Sequence, residues 1–346
     1  MKKRHLLDLT PDQFAGIAAE LGEPGYRAKQ LADWVLAKRV ATWDEMKNLP
    51  KAFRDKLAER FFLRSMAPVR SQKSDNGLTE KWLLRTQDGH GVECVLIREA
   101  ERRTACVSCS IGCPMGCVFC ASAGPLSRHL TTGEIVEEVA HIEAATGERV
   151  TNVVFMGTGE PFLNYDAVLA AARMFNHPDV FGIGARHITI STVGVVTGIE
   201  RFIAEPEDFR LALSLHAPGQ RTRQRIIPSA NKWPIQRIFD VLRRYTRQTR
   251  REVTIEYTLI DGVNSGPDDA SALAAALDGI PCKVNCIPLN PVPGRSFAPP
   301  SDRQCHEFAG ILSSKGLRAT LRLEKGRDIA AACGQLRAVT DCPKSE

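Results

Sequence analysis

From about residue 104 onward the apolar positions alternate between short strand-like runs and longer helical ones. Strand-like runs fall at Thr104–Ser108, Val150–Met156, His187–Ser191, Arg210–Leu215, Val253–Leu259, Val284–Ile287 and Ala319–Leu323. Helical patterns fall between most of them, at Thr132–Thr146, Tyr165–Phe175, Ile235–Arg247, Asp268–Leu277 and Asp302–Ser314. This rhythm predicts an α/β body with a parallel sheet and outer helices, either open or curled into a full or partial barrel. In both cases chemistry belongs at the C-terminal ends of the strands. Residues 1–65 instead read as short helices: Thr10-Pro11-Asp12-Gln13 is a capping box with Gly22 as a stop, and a second helix runs from about Tyr26 to Lys38. Thr42-Trp43-Asp44-Glu45 caps a third, and Pro50 precedes another over Ala52–Phe61. Glu80–Arg85 and Gly91–Ile97 flank Asp88-Gly89-His90-Gly91, a hairpin signal. The division expected is a helical accessory domain at 1–65, a linker and hairpin at 66–103, the βα body at 104–336 and a short tail at 337–346.

Composition adds little to the fold. The 346 residues are 43% hydrophobic and 25% charged, ordinary for a globular protein. No run approaches the roughly 18 apolar residues of a membrane span. The basic start, Met1-Lys2-Lys3-Arg4, has no apolar core behind it, so a cytoplasmic protein without a secretory signal is expected. Charge matters through its distribution. The net charge is only +6, but residues 221–251 hold ten basic side chains against one acid, Asp240. Residues 1–70 hold fourteen basic against nine acidic. Both clusters favour a polyanion. Ile235, Ile238, Phe239 and Leu242 recur at helical spacing, so an equally good reading makes the arginines around them the wet face of an amphipathic helix.

Eleven cysteines in a chain read as cytoplasmic point to metal or thiol chemistry rather than a disulfide framework. Cys113, Cys117 and Cys120 form C-x₃-C-x₂-C after the first strand of the βα series. Three close thiolates can hold three irons of a cubane and leave the fourth iron open to a substrate. A zinc site from Cys106, Cys109, Cys117 and Cys120 is the rival.

The C-x₃-C-x₂-C motif, with Phe119 before its last cysteine, resembles the radical S-adenosylmethionine (SAM) superfamily. Ala105-Cys106-Val107-Ser108, Met156-Gly157-Thr158-Gly159-Glu160-Pro161, Ser191-Thr192-Val193-Gly194-Val195-Val196, Leu213-Ser214-Leu215-His216-Ala217-Pro218, Asn285-Cys286-Ile287-Pro288-Leu289-Asn290-Pro291 and Asp328-Ile329-Ala330-Ala331-Ala332-Cys333-Gly334-Gln335-Leu336 resemble its RNA C-methylating branch. The likeness runs in order from about Leu6 to Leu336 and includes Gly25-Tyr26-Arg27-Ala28-Lys29-Gln30.

The resemblance implies a partial (β/α)6 radical SAM barrel with a helical accessory domain. It implies a [4Fe–4S] cluster on Cys113, Cys117 and Cys120, and SAM held by Gly159, Glu160, Ser191, Ser214, Leu215, His216 and Asn290. It implies that Cys333 carries a methyl group, that a 5′-deoxyadenosyl radical activates it toward C2 of adenine, and that Cys106 takes the ring proton and closes a transient disulfide. Glu93 aligns with a glutamate sometimes assigned as proton acceptor. The substrates implied are adenosine 2503 of 23S rRNA and adenosine 37 of some tRNAs, with an electron donor such as flavodoxin or ferredoxin and a monomeric enzyme. The alternatives are an adenine-C8 methylating relative, a radical SAM paralogue acting on a non-RNA substrate, and a zinc-dependent RNA-binding module.

Three segments depart from the branch's pattern. The Ala121–Leu130 loop lacks an aromatic, and His129 stands where asparagine is usual. Lys325-Gly326-Arg327-Asp328 replaces Arg-Gly-x-Asp, and the tail lacks a basic extension. All three fall where substrate would be gripped.

Overall fold

The computed structural model describes residues 3–322 and 326–337. Lys325, Cys342 and the tail beyond Arg337, like the end of the strand expected to reach Leu323, lie outside the described residues.

One ten-stranded sheet organises the chain. Its strands are β1 (Met66–Lys73), β2 (Thr79–Thr86), β3 (Gly91–Glu99), β4 (Arg102–Cys106), β5 (Asn152–Phe155), β6 (Ile188–Thr192), β7 (Arg210–Ser214), β8 (Val253–Leu259), β9 (Cys282–Pro288) and β10 (Arg318–Leu321). Each strand lies beside the next one in sequence, from β1 at one edge to β10 at the other. Strands β4 to β10 are all parallel. The crossovers carry α4 (Thr132–Thr146), α5 (Tyr165–Asn176), α6 (Val196–Ile203), α7 (Gln220–Ile226), α8 (Ile235–Thr249), α9 (Pro267–Ala276) and α10 (Asp302–Ser314). Of these, α6 and α7 are short and were not foreseen from periodicity.

Strand β8 shows why the sheet curls around a polar interior. All seven residues are buried. Val253, Ile255, Tyr257 and Leu259 join the main apolar core. Glu256 and Thr258, on the alternate face, line a cavity shared with side chains of β6 and β7 and of the segments after β5, β7 and β9. A flat sheet would spread five strands over about 20 Å, so their convergence on one cavity means curvature.

The expected linker at 66–103 is instead part of the sheet: β1, β2 and β3 run antiparallel and extend it beyond β4. The hairpin of β2 and β3 was legible. Strand β1 was not, because it is an edge strand. Of Met66-Ala67-Pro68-Val69-Arg70-Ser71-Gln72-Lys73 only Met66 is buried, and its register shifts between Pro68 and Arg70. Proline, a bulge and charge are how edges avoid pairing with other chains, and they erase the alternation that reveals a strand.

The N-terminal helices α1 (Gln13–Glu20), α2 (Gly25–Ala32) and α3 (Lys51–Arg60) share the main apolar core with the βα body. The second helix expected to Lys38 continues as a wider turn over Asp33–Ala37. The Thr42 signal caps only a single 3₁₀ turn, with Glu45 Oε1 accepting from the Thr42 amide at 2.7 Å.

Helix α4 forms the seam between the two parts. Its capping box is reciprocal, Thr131 Oγ1 accepting from the Glu134 amide and Glu134 Oε2 from the Thr131 amide. Gly133 lets the N-terminal segment lie against this first turn: a Cβ there would stand 1.9 Å from His5 Nδ1. Its amide donates to Asp8 Oδ1 at 2.7 Å. Buried Glu137, one turn on, accepts from the Ser65 amide, Ser65 Oγ and the Met66 amide. Glu137→Ala would strand these donors, and we expect a loss of about 3 kcal/mol in urea denaturation. A loss under about 1 kcal/mol would show that apolar packing alone holds the seam.

Candidate active site

The cavity opens at the C-terminal ends of β5 to β9 and encloses about 960 Å³ including its mouth. Cys113, Cys117 and Cys120 form one wall. Their loop is tightly turned: the Cys120 amide donates to the Cys117 carbonyl at 3.1 Å, and the Gly124 amide to the Cys113 carbonyl at 3.1 Å. Gly112, at φ 84°, cannot be replaced, since a Cβ would lie 1.9 Å from the Pro125 carbonyl oxygen. Burial pushes the Cys113 thiol up to about 12, and drives Cys117 and Cys120 upward too. A metal binding there must displace the thiol protons.

The zinc alternative does not assemble. Cys106 and Cys109 are not on the cavity wall: Cys109 is buried beneath Gly159, and Cys106 packs with Val95, Ile329, Ala331 and Leu336. Cys94, Cys282, Cys286 and Cys305 are buried as ordinary small side chains.

Opposite the cysteines the wall is polar. Gly159 has φ 121°, and a Cβ there would stand 2.3 Å from Ser110 Oγ and 2.6 Å from Cys109 Sγ. Glu160 is buried and accepts from the amides of Val193 at 2.8 Å and Phe162 at 3.1 Å. Burial outweighs these bonds and raises its carboxyl to about 7. Ser191 Oγ and Ser214 Oγ meet at 3.2 Å. His216 holds a left-handed backbone, φ 57°, and its Nδ1 accepts from the Thr258 amide at 2.9 Å. Burial, with Arg223 nearby, lowers its imidazole to about 3, so it presents a neutral ring with the proton on Nε2. Asn290 Nδ2 donates to the Cys333 carbonyl at 3.0 Å, while Asn290 Oδ1 is buried without a protein partner.

Besides Cys106, two of the expected residues are not on the cavity wall. Leu215 is wholly buried, and only its backbone is engaged at the site's edge, its carbonyl accepting from Arg223 Nε. Glu93 is held away from the cavity: Lys81 Nζ lies 3.1 Å from its Oε1, and the Arg337 amide donates to its Oε2 at 2.7 Å. It fastens the Cys333 segment to the sheet.

Cys333 faces the cavity on the segment that spans its mouth. The Ala121 amide donates to the Gly334 carbonyl at 2.7 Å, and Ser122 Oγ to the Leu336 carbonyl at 2.6 Å. The segment bearing Cys333 is thus tied to the loop bearing the three cysteines. The side chain keeps access to the cavity, yet protein packs densely around it, and this raises the thiol to about 11. The Glu256 carboxylate adds to the rise and Arg322 opposes it. Cys106 lies under the same segment, its thiol pushed up to about 12 by burial and then by Cys333.

Sequence reasoning missed Glu256 and Arg322, both on the cavity wall. Glu256 Oε1 accepts from Asn285 Nδ2 at 2.9 Å, and Oε2 is buried without a partner. The signal was available: polar Thr254, Glu256 and Thr258 alternate with apolar residues in one strand, marking the inner face of the barrel.

Two family models match the chain, Radical SAM superfamily over residues 107–272 and Ribosomal RNA large subunit methyltransferase N-terminal domain over residues 4–63. A probable dual-specificity RNA methyltransferase RlmN from Lysinibacillus sphaericus is 43% identical, over 97% of this chain and 89% of its own length. Its namesake from Symbiobacterium thermophilum is 44% identical over 97% and 91%. The chain belongs to the RlmN family of the radical SAM superfamily. The RlmN-type likeness extends to structure: a radical SAM methyltransferase from Sphaerobacter thermophilus, 43% identical, superposes with a TM-score of 0.93 over 96% of this chain and 98% of that one. Radical SAM enzymes use a [4Fe–4S] cluster and SAM. The residues here fit both: three thiols around one wall, the backbone cradle at Gly159, and unpaired acceptors on Asn290 and Glu256 facing a ligand rich in donors.

Ionised Glu160 accepts a hydrogen bond from a charged ligand amine far more strongly than the neutral acid does. SAM affinity of the cluster-loaded protein should therefore fall below about pH 7, approaching tenfold per pH unit. Glu160→Gln should bind more weakly and lose the inflection near 7 in a calorimetric titration series. A wild-type profile without that inflection would count against Glu160 as the amine acceptor.

Proposed function

We propose that this chain is a methyltransferase acting on C2 of an adenine in RNA, at adenosine 2503 of 23S rRNA and adenosine 37 of some tRNAs, with Cys333 as methyl carrier. The observation that carries the reading is the placement of Cys333. It shares one cavity with Cys113, Cys117, Cys120 and Glu160, on a segment hydrogen-bonded to the cysteine loop and with Cys106 packed beneath.

The chemistry explains why such an arrangement is needed. C2 of adenine is not nucleophilic, so simple displacement on SAM cannot methylate it. The Cys333 sulfur, once deprotonated, is a good nucleophile for the methyl group. When bound, the cluster supplies the electron that cleaves a second SAM and so produces the radical that activates the methyl. Cys113, Cys117 and Cys120 hold the cluster at one wall. Gly159, Glu160, Ser191, Ser214, His216 and Asn290 orient SAM, and neutral His216 contributes a donor without charge. Loss of a hydrogen atom from the S-methyl group of Cys333 leaves a carbon radical that bonds to C2 of the base. Cys106 takes the C2 proton, and the odd electron left on the adduct passes to a one-electron acceptor, the oxidised redox partner. Cys106 then gives up its proton and bonds to the Cys333 sulfur as the bond between that sulfur and the methylene carbon breaks, the electron pair staying on the carbon, which takes up a proton to complete the methyl group.

The RNA would meet the exposed basic side chains of α7 and its surroundings, Arg221, Arg225, Lys232 and Arg237, together with the N-terminal helices. The target base must be unstacked to reach the cavity. Among the described residues no helix is long and apolar enough to cross a membrane. We place the enzyme in the cytoplasm as a monomer fed by a flavodoxin- or ferredoxin-type donor.

Anaerobically reconstituted protein, given SAM, reductant and 23S rRNA or tRNA transcripts, should yield 2-methyladenosine on nuclease digestion and mass spectrometry. The Cys333 peptide should carry one added methyl, and Cys333→Ala should abolish product. Cys106→Ala should trap a covalent protein–RNA adduct on denaturing gels. Appearance of 8-methyladenosine would move the reaction to C8. A loaded protein whose Cys333 stays bare with SAM would end the methyl-carrier reading.

A further inference from the structure

Among the ten basic residues of 221–251, Arg223 behaves unlike a surface arginine. It is completely buried, on a helix of the wall behind the cysteine loop. Its Nε donates to the Leu215 carbonyl at 3.2 Å and its Nη2 to the Val193 carbonyl. Those carbonyls belong to the turns that follow Ser191 and Ser214. Its Nη1 is buried with no partner, and among the described residues no carboxylate forms an ion pair with it. The charged or ionisable groups acting on it most are Cys117 and Glu160. Each Glu160 oxygen accepts from a backbone amide, and neither forms an ion pair with Arg223.

The helix carrying Arg223 is fastened directly to the cysteine loop. The Val118 amide, between Cys117 and Cys120, donates to the Ile226 carbonyl at 3.0 Å. Phe119 packs with Ile226 and Ile227, and the Ser229 hydroxyl donates to Met115 Sδ at 3.4 Å. A guanidinium buried beside Cys117 without an anion is costly. That cost is relieved when the three thiols give up their protons to a cluster, because the site then becomes anionic. Reduction adds one more negative charge at the same place.

We propose that Arg223 is a positioning residue with a second role, the fixed counter-charge of the cluster: it braces the Val193 and Leu215 turns and favours the reduced cluster over the oxidised one. The proposal rests on the cluster occupying Cys113, Cys117 and Cys120. Its chemistry follows from the general rule that hydrogen bonding and charge outside the ligand shell set the potential of an iron–sulfur centre.

The test uses the full chain, reconstituted anaerobically as wild type, Arg223→Met, Arg223→Gln and Arg223→Lys. Iron and sulfide content, a denaturation curve and an EPR-monitored redox titration are read for each. Both neutral variants should have a midpoint more negative than wild type, while Arg223→Lys stays close to it. If neither neutral variant retains iron while folded Arg223→Lys loads fully, the counter-charge role is equally supported. A wild-type midpoint in either loaded neutral variant, or failure of Arg223→Lys to load, overturns the proposal. Wild-type protein that binds no iron would instead overturn the cluster reading on which it rests.

Discussion

The cavity depends on a short set of hydrogen bonds that lash the 326–337 segment across the open end of the sheet. On one side the Ala121 amide and the Ser122 hydroxyl reach it from the cysteine loop. On the other, Lys81 Nζ donates to the Ala330 carbonyl, and Glu93 takes the Arg337 amide. Asp328 Oδ2 accepts from the Asp75 amide, and Asn290 holds the Cys333 carbonyl. No helix or strand stabilises this stretch, so its position follows from polar contacts to three separate parts of the fold and from the small apolar cluster of Ala331 and Leu336 with Val95. Without them Cys333 would be a thiol on a loop, unrelated to the cluster wall.

The antiparallel strands β1 to β3 acquire their meaning from this lashing. A linker would have no reason to bury Lys81 and Glu93 as a pair, since buried ion pairs contribute little net stability. Here the pair spans from the sheet to the Cys333 segment and fixes where that segment sits. The glutamate suspected of proton transfer is therefore better explained by geometry than by chemistry. Alignment to a family can carry a residue's presence, but it does not reveal which neighbours consume its lone pairs.

The parts of the fold that were legible in the chain are those where one periodicity dominates. Helix α4 was expected at Thr132–Thr146 and lies there, because a reciprocal capping box opens it and Gly147 at φ 70° closes it. Strand β8 was legible throughout. Strand β1 and helix α7 were not, since an edge strand hides its alternation and α7 is seven residues rich in arginine. At the site, spacing exposed the cysteines and their shared loop, while the residues proposed for SAM, and Cys333, were named by resemblance. Glu256 and Arg322 escaped because their partners are distant in sequence. The basic segment was the hardest to read: Arg223 and Arg251 turn inward to backbone carbonyls, Arg243 and Arg244 pair with Asp240 and Glu200, and the exposed remainder offers its charge to a polyanion.

The order of the sheet carries a consequence for how the protein comes into being. Because every strand lies beside its sequence neighbour, each can dock as it leaves the ribosome, with no place to be held open for a later arrival. The exception is the 326–337 segment, which must return to Asp75, Lys81 and Glu93, laid down some 250 residues earlier. Assembly therefore has a built-in sequence: the cysteine loop and the Gly159–Glu160 cradle can form first, and the Cys333 thiol arrives last. A nascent chain would hold the wall of three cysteines before it holds the thiol that faces them.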